Sequence, residues 1–312
     1  MIEDILERFS KQVVLDEDME YVLGLSEGEQ LDKLKSRTTE NNNKLDSEIL
    51  LEQDIFYPPV LLTFVGMSTC NCRSLYTTEQ YHPKYTENMI NLKLRNIDKW
   101  GISAVNCYTL SEFSSNELFK LVQLLNSHEV KVNLKVPYKY YADINDLDID
   151  ALIIDLYDLR KLDLSDNNPK SFNMYEKFVK QLTNDSSNIE LVGELLINFG
   201  ESPIDIAVLI RKIIDFNINT VEILGVDPFC DNPEEYHPQY NNDYLLKIVA
   251  ILRTILPDIN IKYKYPTNGI SIINELLNLG VNVISGVYTD NTNPNIYNIE
   301  EIQNILNKSK RD

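Results

Sequence analysis

From about residue 60 onward the chain repeats one pattern: a short apolar run bounded by turn residues, then a longer amphipathic stretch. The runs at 60–65, 104–109, 130–136, 151–156, 189–198, 220–224, 260–265 and 281–285 have the length of buried strands. Between and after them, 86–100, 115–127, 174–182, 202–216, 243–256, 271–279 and 299–307 carry apolar residues at helical spacing. Pro203 at a first helical turn and Gly280 at a helix end are start and stop signals. Strands alternating with helices predict a parallel sheet, and eight such units are the number that closes a (β/α)8 TIM-type barrel. An open doubly wound sheet would usually have fewer repeats and a glycine-rich first turn, which is missing here. The predicted class is therefore α/β, one barrel with a helical extension.

That extension is residues 1–57, and the barrel 58–312. Ile2, Ile5, Leu6 and Phe9 recur at helical spacing, 16–23 reads as a second helix stopped by Gly24, and EGEQLDKLKSR begins a third. Residues 46–53 read as one more short helix. The apolar stripes are narrow, so these helices should pack on the larger domain.

Bulk properties exclude several functions. Asp plus Glu number 48 against 29 Lys plus Arg, a formal charge of −19, which would repel a phosphate backbone. Nucleic acid is not an expected partner. No apolar run approaches the roughly 20 residues of a membrane span, and the acidic, amphipathic start has no cleavable apolar core. The expected location is cytoplasmic. Four unevenly spaced cysteines do not make a disulfide framework.

Two of those cysteines concentrate the chemistry. Cys70 and Cys72 follow the apolar run in PVLLTFVGMSTCNCRSLY, and Cys107 ends the next predicted strand. If adjacent strands carry them to one barrel mouth, the three sulfurs could ligate a metal or an iron–sulfur cluster. Otherwise they are small packing residues. Asp155, Asn198, Glu201 and Lys264 lie at predicted C-terminal strand ends, where barrel enzymes place their chemistry. Glu201 could equally cap the helix begun by Ser202-Pro203. Lys262 and Lys264 alternate to one side and would either hold a carboxylate or lie on a solvated strand end. His82, His128 and His237 are scattered and show no metal spacing.

Several stretches resemble the biotin-synthase-like branch of the radical S-adenosylmethionine (SAM) superfamily. GELLINFGESPID is similar to the family's fifth-strand segment, with Gly200, Glu201 and Asp205 on its pattern and Asn198 where another glycine is usual. LLKIVAILRTILPDINIKY resembles the sixth helix, turn and seventh strand, and GVNVISGVYTD the family's ending. The resemblance implies a small-molecule substrate in cofactor biosynthesis, an iron–sulfur cluster and SAM. Asp155, Asn198, Gly200 and Glu201 would bind cofactor, and Lys262 and Lys264 substrate. It also implies a homodimer or a complex with a related radical SAM enzyme. The family motif is Cys-x3-Cys-x2-Cys; with Cys72 as its third ligand, Thr69 and Val65 stand at the other two places. Neither supplies a thiolate. Two hypotheses follow: an enzyme of SAM-dependent radical chemistry, or a cluster-less barrel binding a small ligand or a cluster-bearing relative.

Overall fold

The computed structural model describes residues 1–26, 28–42, 48–57, 87–109, 114–136, 140, 144–156, 177, 179–180, 188–197, 201–225, 242–264, 272–286, 288–289 and 297–309. Three helices lead: α1 (Ile2–Ser10), α2 (Asp16–Leu23) and α3 (Glu29–Asn42). Each buries the stripe its sequence offers, Ile2, Ile5, Leu6 and Phe9 in the first, Met19 and Val22 in the second, Leu31 and Leu34 in the third.

Eight parallel strands then close into a barrel: β1 (Leu50–Tyr57), β2 (Ile102–Thr109), β3 (Lys131–Lys135), β4 (Ala151–Asp155), β5 (Glu190–Ile197), β6 (Thr220–Gly225), β7 (Asn260–Lys264) and β8 (Val283–Gly286). Ring order follows chain order, and β1 pairs with β8 to shut it. The described helices on its outside are α4 (Glu87–Leu94), α5 (Ile97–Trp100), α6 (Ser115–Asn126), α7 (Pro203–Asp215), α8 (Asn242–Ile255), α9 (Ile273–Asn278) and α10 (Ile299–Ser309). A two-residue parallel pair, β9 (Tyr288–Thr289) with β10 (Tyr297–Asn298), lies beyond the ring.

The eight-unit expectation holds, with one correction. Residues 46–53 were expected to be helical, yet β1 starts at Leu50, on the leader side of the expected boundary at 57/58. LLEQDIFY alternates, with Leu51, Gln53 and Ile55 to one face and Glu52 and Asp54 to the other. Its charged members look solvent-exposed until the closed ring gives them a polar interior. The run at 60–65, expected as the first strand, lies outside the described residues.

Local chemistry fixes the helix starts. Ser114 and Glu117 form a capping box on α6, and Ser202 and Asp205 form one on α7, whose first turn also carries Pro203. The leader packs on α7 and α8. Lys247 donates to Leu23 O at 3.2 Å and Arg211 to Val14 O at 2.9 Å, so the leader's exposed carbonyls are bound to barrel helices.

Arg253 of α8 is fully buried and donates to the carbonyls of Pro257 at 2.6 Å, Ile259 at 2.7 Å and Gly280 at 2.5 Å, tying two helix–strand connections together. Gly280 has φ of +100°, and a Cβ there would stand 2.6 Å from Arg253 Nε. Gly280→Ala should therefore cost about 2 kcal/mol through left-handed strain and displacement of that guanidinium, read as a lower urea midpoint with unchanged slope.

Candidate functional site in the barrel interior

Side-chain alternation sorts each strand into two faces. The outward residues, among them Val105, Leu134, Leu152, Ile154, Leu195, Ile223, Ile261 and Ile284, join the helices in one apolar cluster. The inward face is different. In most barrels of this type it is filled by layers of branched apolar side chains. Here the middle of the ring holds Glu52 and Asp54, Asn106 and Tyr108, Asn133 and Lys135, Glu194, Glu222, Lys262 and Lys264, and Ser285, all buried.

These groups form one connected network. Lys262 Nζ lies 2.5 Å from Glu52 and 3.5 Å from Glu222, and donates to Asn106 Oδ1 at 3.1 Å. Lys264 Nζ lies 3.4 Å from Glu222, 3.7 Å from Asp54 and 3.2 Å from the centre of the Tyr108 ring, a cation–π contact. The Tyr108 hydroxyl donates to Glu222 at 2.8 Å. Asn106 donates to Asp54 at 2.9 Å, and Asn133 to Asn106 at 2.8 Å. Lys135 pairs with Glu194.

The buried charges do not balance. Among the described residues, the buried carboxylates Glu52, Asp54, Glu194 and Glu222 face the three lysines Lys135, Lys262 and Lys264, and half-buried Asp155 adds a carboxylate beside Glu194. The titration behaviour follows. Burial opposes ionisation of Glu222, but Lys264, Lys262 and the Tyr108 hydroxyl outweigh it and hold this carboxyl below its usual range. Burial also opposes the charge on Lys262, yet Glu52 and Glu222 raise its pKa. Asp54 has the weaker partners. Burial dominates over Lys264, the Glu222 charge adds to it, and the pKa rises to about 7. Burial likewise pushes Glu194 up against the pull of Lys135, and Tyr108 well above a free phenol. Among the described residues Asp54 Oδ2, Glu194 Oε1 and Ser285 Oγ find no hydrogen-bond partner. Buried polar atoms left this way mark a place built for something more than packing.

The candidates read from the sequence fare unequally. Lys262 and Lys264 do share a face, but the carboxylates beside them are the protein's own Glu52, Asp54 and Glu222; the solvated-strand reading fails because both are fully buried. Asp155 ends β4 on the interior face, paired in register with Glu194. Glu201 is half-buried beside Tyr244, whose hydroxyl pKa rises through burial and that carboxylate. The cap of α7 is Ser202 with Asp205, so Glu201 is not its capping residue. Cys107 is a correction. Its neighbours Asn106 and Tyr108 point inward, so the thiol points outward into the apolar layer, fully buried and with its pKa pushed up by burial to about 12. It is not brought to the barrel mouth. Cys70, Cys72, Asn198 and Gly200 lie outside the described residues. Among the described residues no group of three or more His, Cys, Asp or Glu could hold a metal ion, and no helix is long and apolar enough to cross a membrane.

Sequence reasoning passed over Glu52, Asp54, Asn106, Tyr108, Asn133, Lys135, Glu194 and Glu222. A signal existed: a single charged residue within an otherwise apolar strand, as in TVEILG and VGELLI, or polar residues two apart, as in KVNLK and LEQDI. It gains meaning only once a closed ring makes both faces interior.

No family model matches the chain. It is 26% identical over 244 residues to the uncharacterized protein MJ0785 of Methanocaldococcus jannaschii, an alignment covering 72% of this chain and 64% of that protein. The chain thus spans somewhat less than two thirds of that relative's length. Among solved structures it is similar to methylornithine synthase (PylB), with a TM-score of 0.70 at 18% identity, over 90% of this chain and 85% of that one. It is equally similar to the FeFe-hydrogenase maturase HydG from Carboxydothermus hydrogenoformans, with a TM-score of 0.70 at 14% identity, over 98% and 78%. Both neighbours are radical SAM enzymes. An aldolase barrel from Thermotoga maritima, phospho-2-dehydro-3-deoxyheptonate aldolase, superposes less well, with a TM-score of 0.50 at 9% identity, over 85% and 69%.

Proposed function

We propose that this chain is a radical SAM-type barrel of the biotin-synthase-like branch that takes a small polar molecule into its interior, in the service of cofactor biosynthesis. The observation that carries this reading is the buried ionic network. A barrel kept only for stability would gain by filling the same volume with apolar side chains, because buried ion pairs often stabilise less than hydrophobic replacements. Retaining seven buried charges and several unmet polar atoms is the pattern of a site that orients a polar ligand. The likeness to PylB and HydG supports the superfamily part of the reading.

The described residues do not fit an iron–sulfur cluster. Cys107 faces the helices, and no other described side chain offers a thiolate. Ligation falls to Cys70 and Cys72. The outward thiol of Cys107 favours the second reading, a cluster-less barrel that binds a small molecule or partners a cluster-bearing relative in the cytoplasm.

Anaerobic reconstitution with iron and sulfide separates the two. The radical reading expects visible and paramagnetic-resonance signals of a stable cluster, with iron falling to background in Cys70→Ala/Cys72→Ala and unchanged in Cys107→Ala. Failure of the native protein to take up iron would leave the cluster-less barrel. Calorimetric titration of the iron-free protein with SAM would then ask whether the pocket is kept for SAM.

A further inference from the structure

Below the ionic layer the ring is not closed by side chains. At the N-terminal end of the strands, opposite the rim where barrel enzymes place their chemistry, lies a cavity of about 300 Å3. That volume matches about ten waters, at the lower edge of the size of small-molecule sites. Its walls are kept open by Ala104 and Ala151, both buried, where branched side chains would fill the ring. Its inner end is made by Glu52, Asn133 and Lys262. Lys131 and Glu190 are exposed at its mouth.

The charge around this cavity has a sign. Lys262 already holds two carboxylates, at 2.5 and 3.5 Å, and so has little attraction left for a third anion. Among the described residues Glu52 has one ionic partner, Lys262 at 2.5 Å, and a single ammonium leaves a carboxylate with acceptor capacity to spare. Asp150, also lining the cavity, accepts from Val132 N and adds negative charge. Counting Lys131 and Glu190 at the mouth, the lining holds three carboxylates against two lysines and is thus one positive charge short. The geometry points to a second binding site in the lower barrel, for a small primary ammonium compound whose charged end sits against Glu52 and whose carbon chain lies along Ala104 and Ala151. The site is separate from the cluster question, since it uses no cysteine, though it shares Glu52 and Lys262 with the ionic network on which the proposed function rests.

The test uses iron-free, SAM-free full-length protein, so its failure is read apart from that of the proposed function, which iron reconstitution and SAM titration decide. Three probes of one shape, n-butylammonium, butyrate and 1-butanol, are compared by ligand-observed NMR at physiological salt. Because the whole chain carries a formal charge of −19, loose association of cations with its surface must be told from the cavity. Ala151→Leu fills the cavity without altering any charge, and Ala104→Leu does so from the neighbouring strand should the first variant not fold. The expected result is a saturable signal for n-butylammonium, at least tenfold tighter than for 1-butanol, none for butyrate, and at least tenfold weakening in the filled variant. Equal binding of all three probes, binding of butyrate, no binding of the amine, or amine binding unchanged by the filled cavity would each overturn it.

Discussion

Replacing Lys262 with Met should cost about 3–5 kcal/mol of folding stability at neutral pH, and most of that loss should disappear on acidification. Lys262 is fully buried between Glu52 and Glu222, and it also donates to Asn106. Methionine fills nearly the same volume without the charge, so the effect is not a cavity. What remains is a pair of carboxylates whose desolvation is no longer offset. Glu222 retains Lys264 and the Tyr108 hydroxyl, while Glu52 loses its ion-pair partner. The remedy open to the protein is to protonate a carboxylate, which becomes easier as pH falls. Urea unfolding of the native protein and Lys262→Met at pH 7.5 and pH 5 reads both quantities. Adding Glu222→Gln to the variant should return part of the loss, since it removes one of the stranded charges, and that double-mutant cycle isolates the pair. A loss under about 1 kcal/mol, or one that does not depend on pH, would mean that water reaches these groups and that the interior is not the dry ionic core described.

The same residues show what a sequence of this kind reveals and what it conceals. Strands β2 to β8 were legible because their outward faces meet helices and are apolar, so Val105 and Cys107, or Leu195 and Ile197, announce a buried strand in any context. The capping boxes at Ser114 and Ser202 and the stop at Gly280 are local chemistry and were equally visible. β1 was misread because LLEQDIFY places two carboxylates among apolar residues, a pattern that also suits a solvated helix. Only closure against β8, Leu50 beside Val283 and Glu52 beside Ser285, turns those carboxylates inward. Lys262 and Lys264 were seen to share a side, but their partners come from β1 and β6, far away in sequence. The assignment of Cys107 to the mouth failed on parity: one residue along a strand separates the ring's interior from its apolar coat.

Between pH 5 and pH 7 the native protein should lose stability as pH rises, and Asp54→Asn should remove much of that slope. Buried charges of unequal number require a proton or a cation at neutrality, and the geometry indicates which carboxyl takes it. Asp54 is fully buried, 3.7 Å from Lys264 and hydrogen-bonded by Asn106, with Glu222 and Lys262 close enough to act on its charge. Its pKa stands at about 7 when folded, against 3.8 for an unperturbed Asp. In the window between those values the folded chain holds a proton that the unfolded chain has released. Stability must then fall with rising pH, by up to about 1.4 kcal/mol per unit for one such group. Glu194, also raised, acts in the same direction. Glu222, held low, acts in the opposite one, but only below about pH 5, where the unfolded chain takes up its proton. The raised pKa of Lys262 matters only above the ordinary lysine value. Native minus variant midpoints in urea across this range cancel the titration of other groups. The difference should narrow or reverse as pH rises, because Asn carries no proton to lose, while Lys264 keeps Glu222 as partner. A native curve that climbs steadily to pH 8, with Asp54→Asn running parallel below it, would place the carboxylate permanently in its charged form. The interior would then have to draw its missing positive charge from a bound cation instead of a proton.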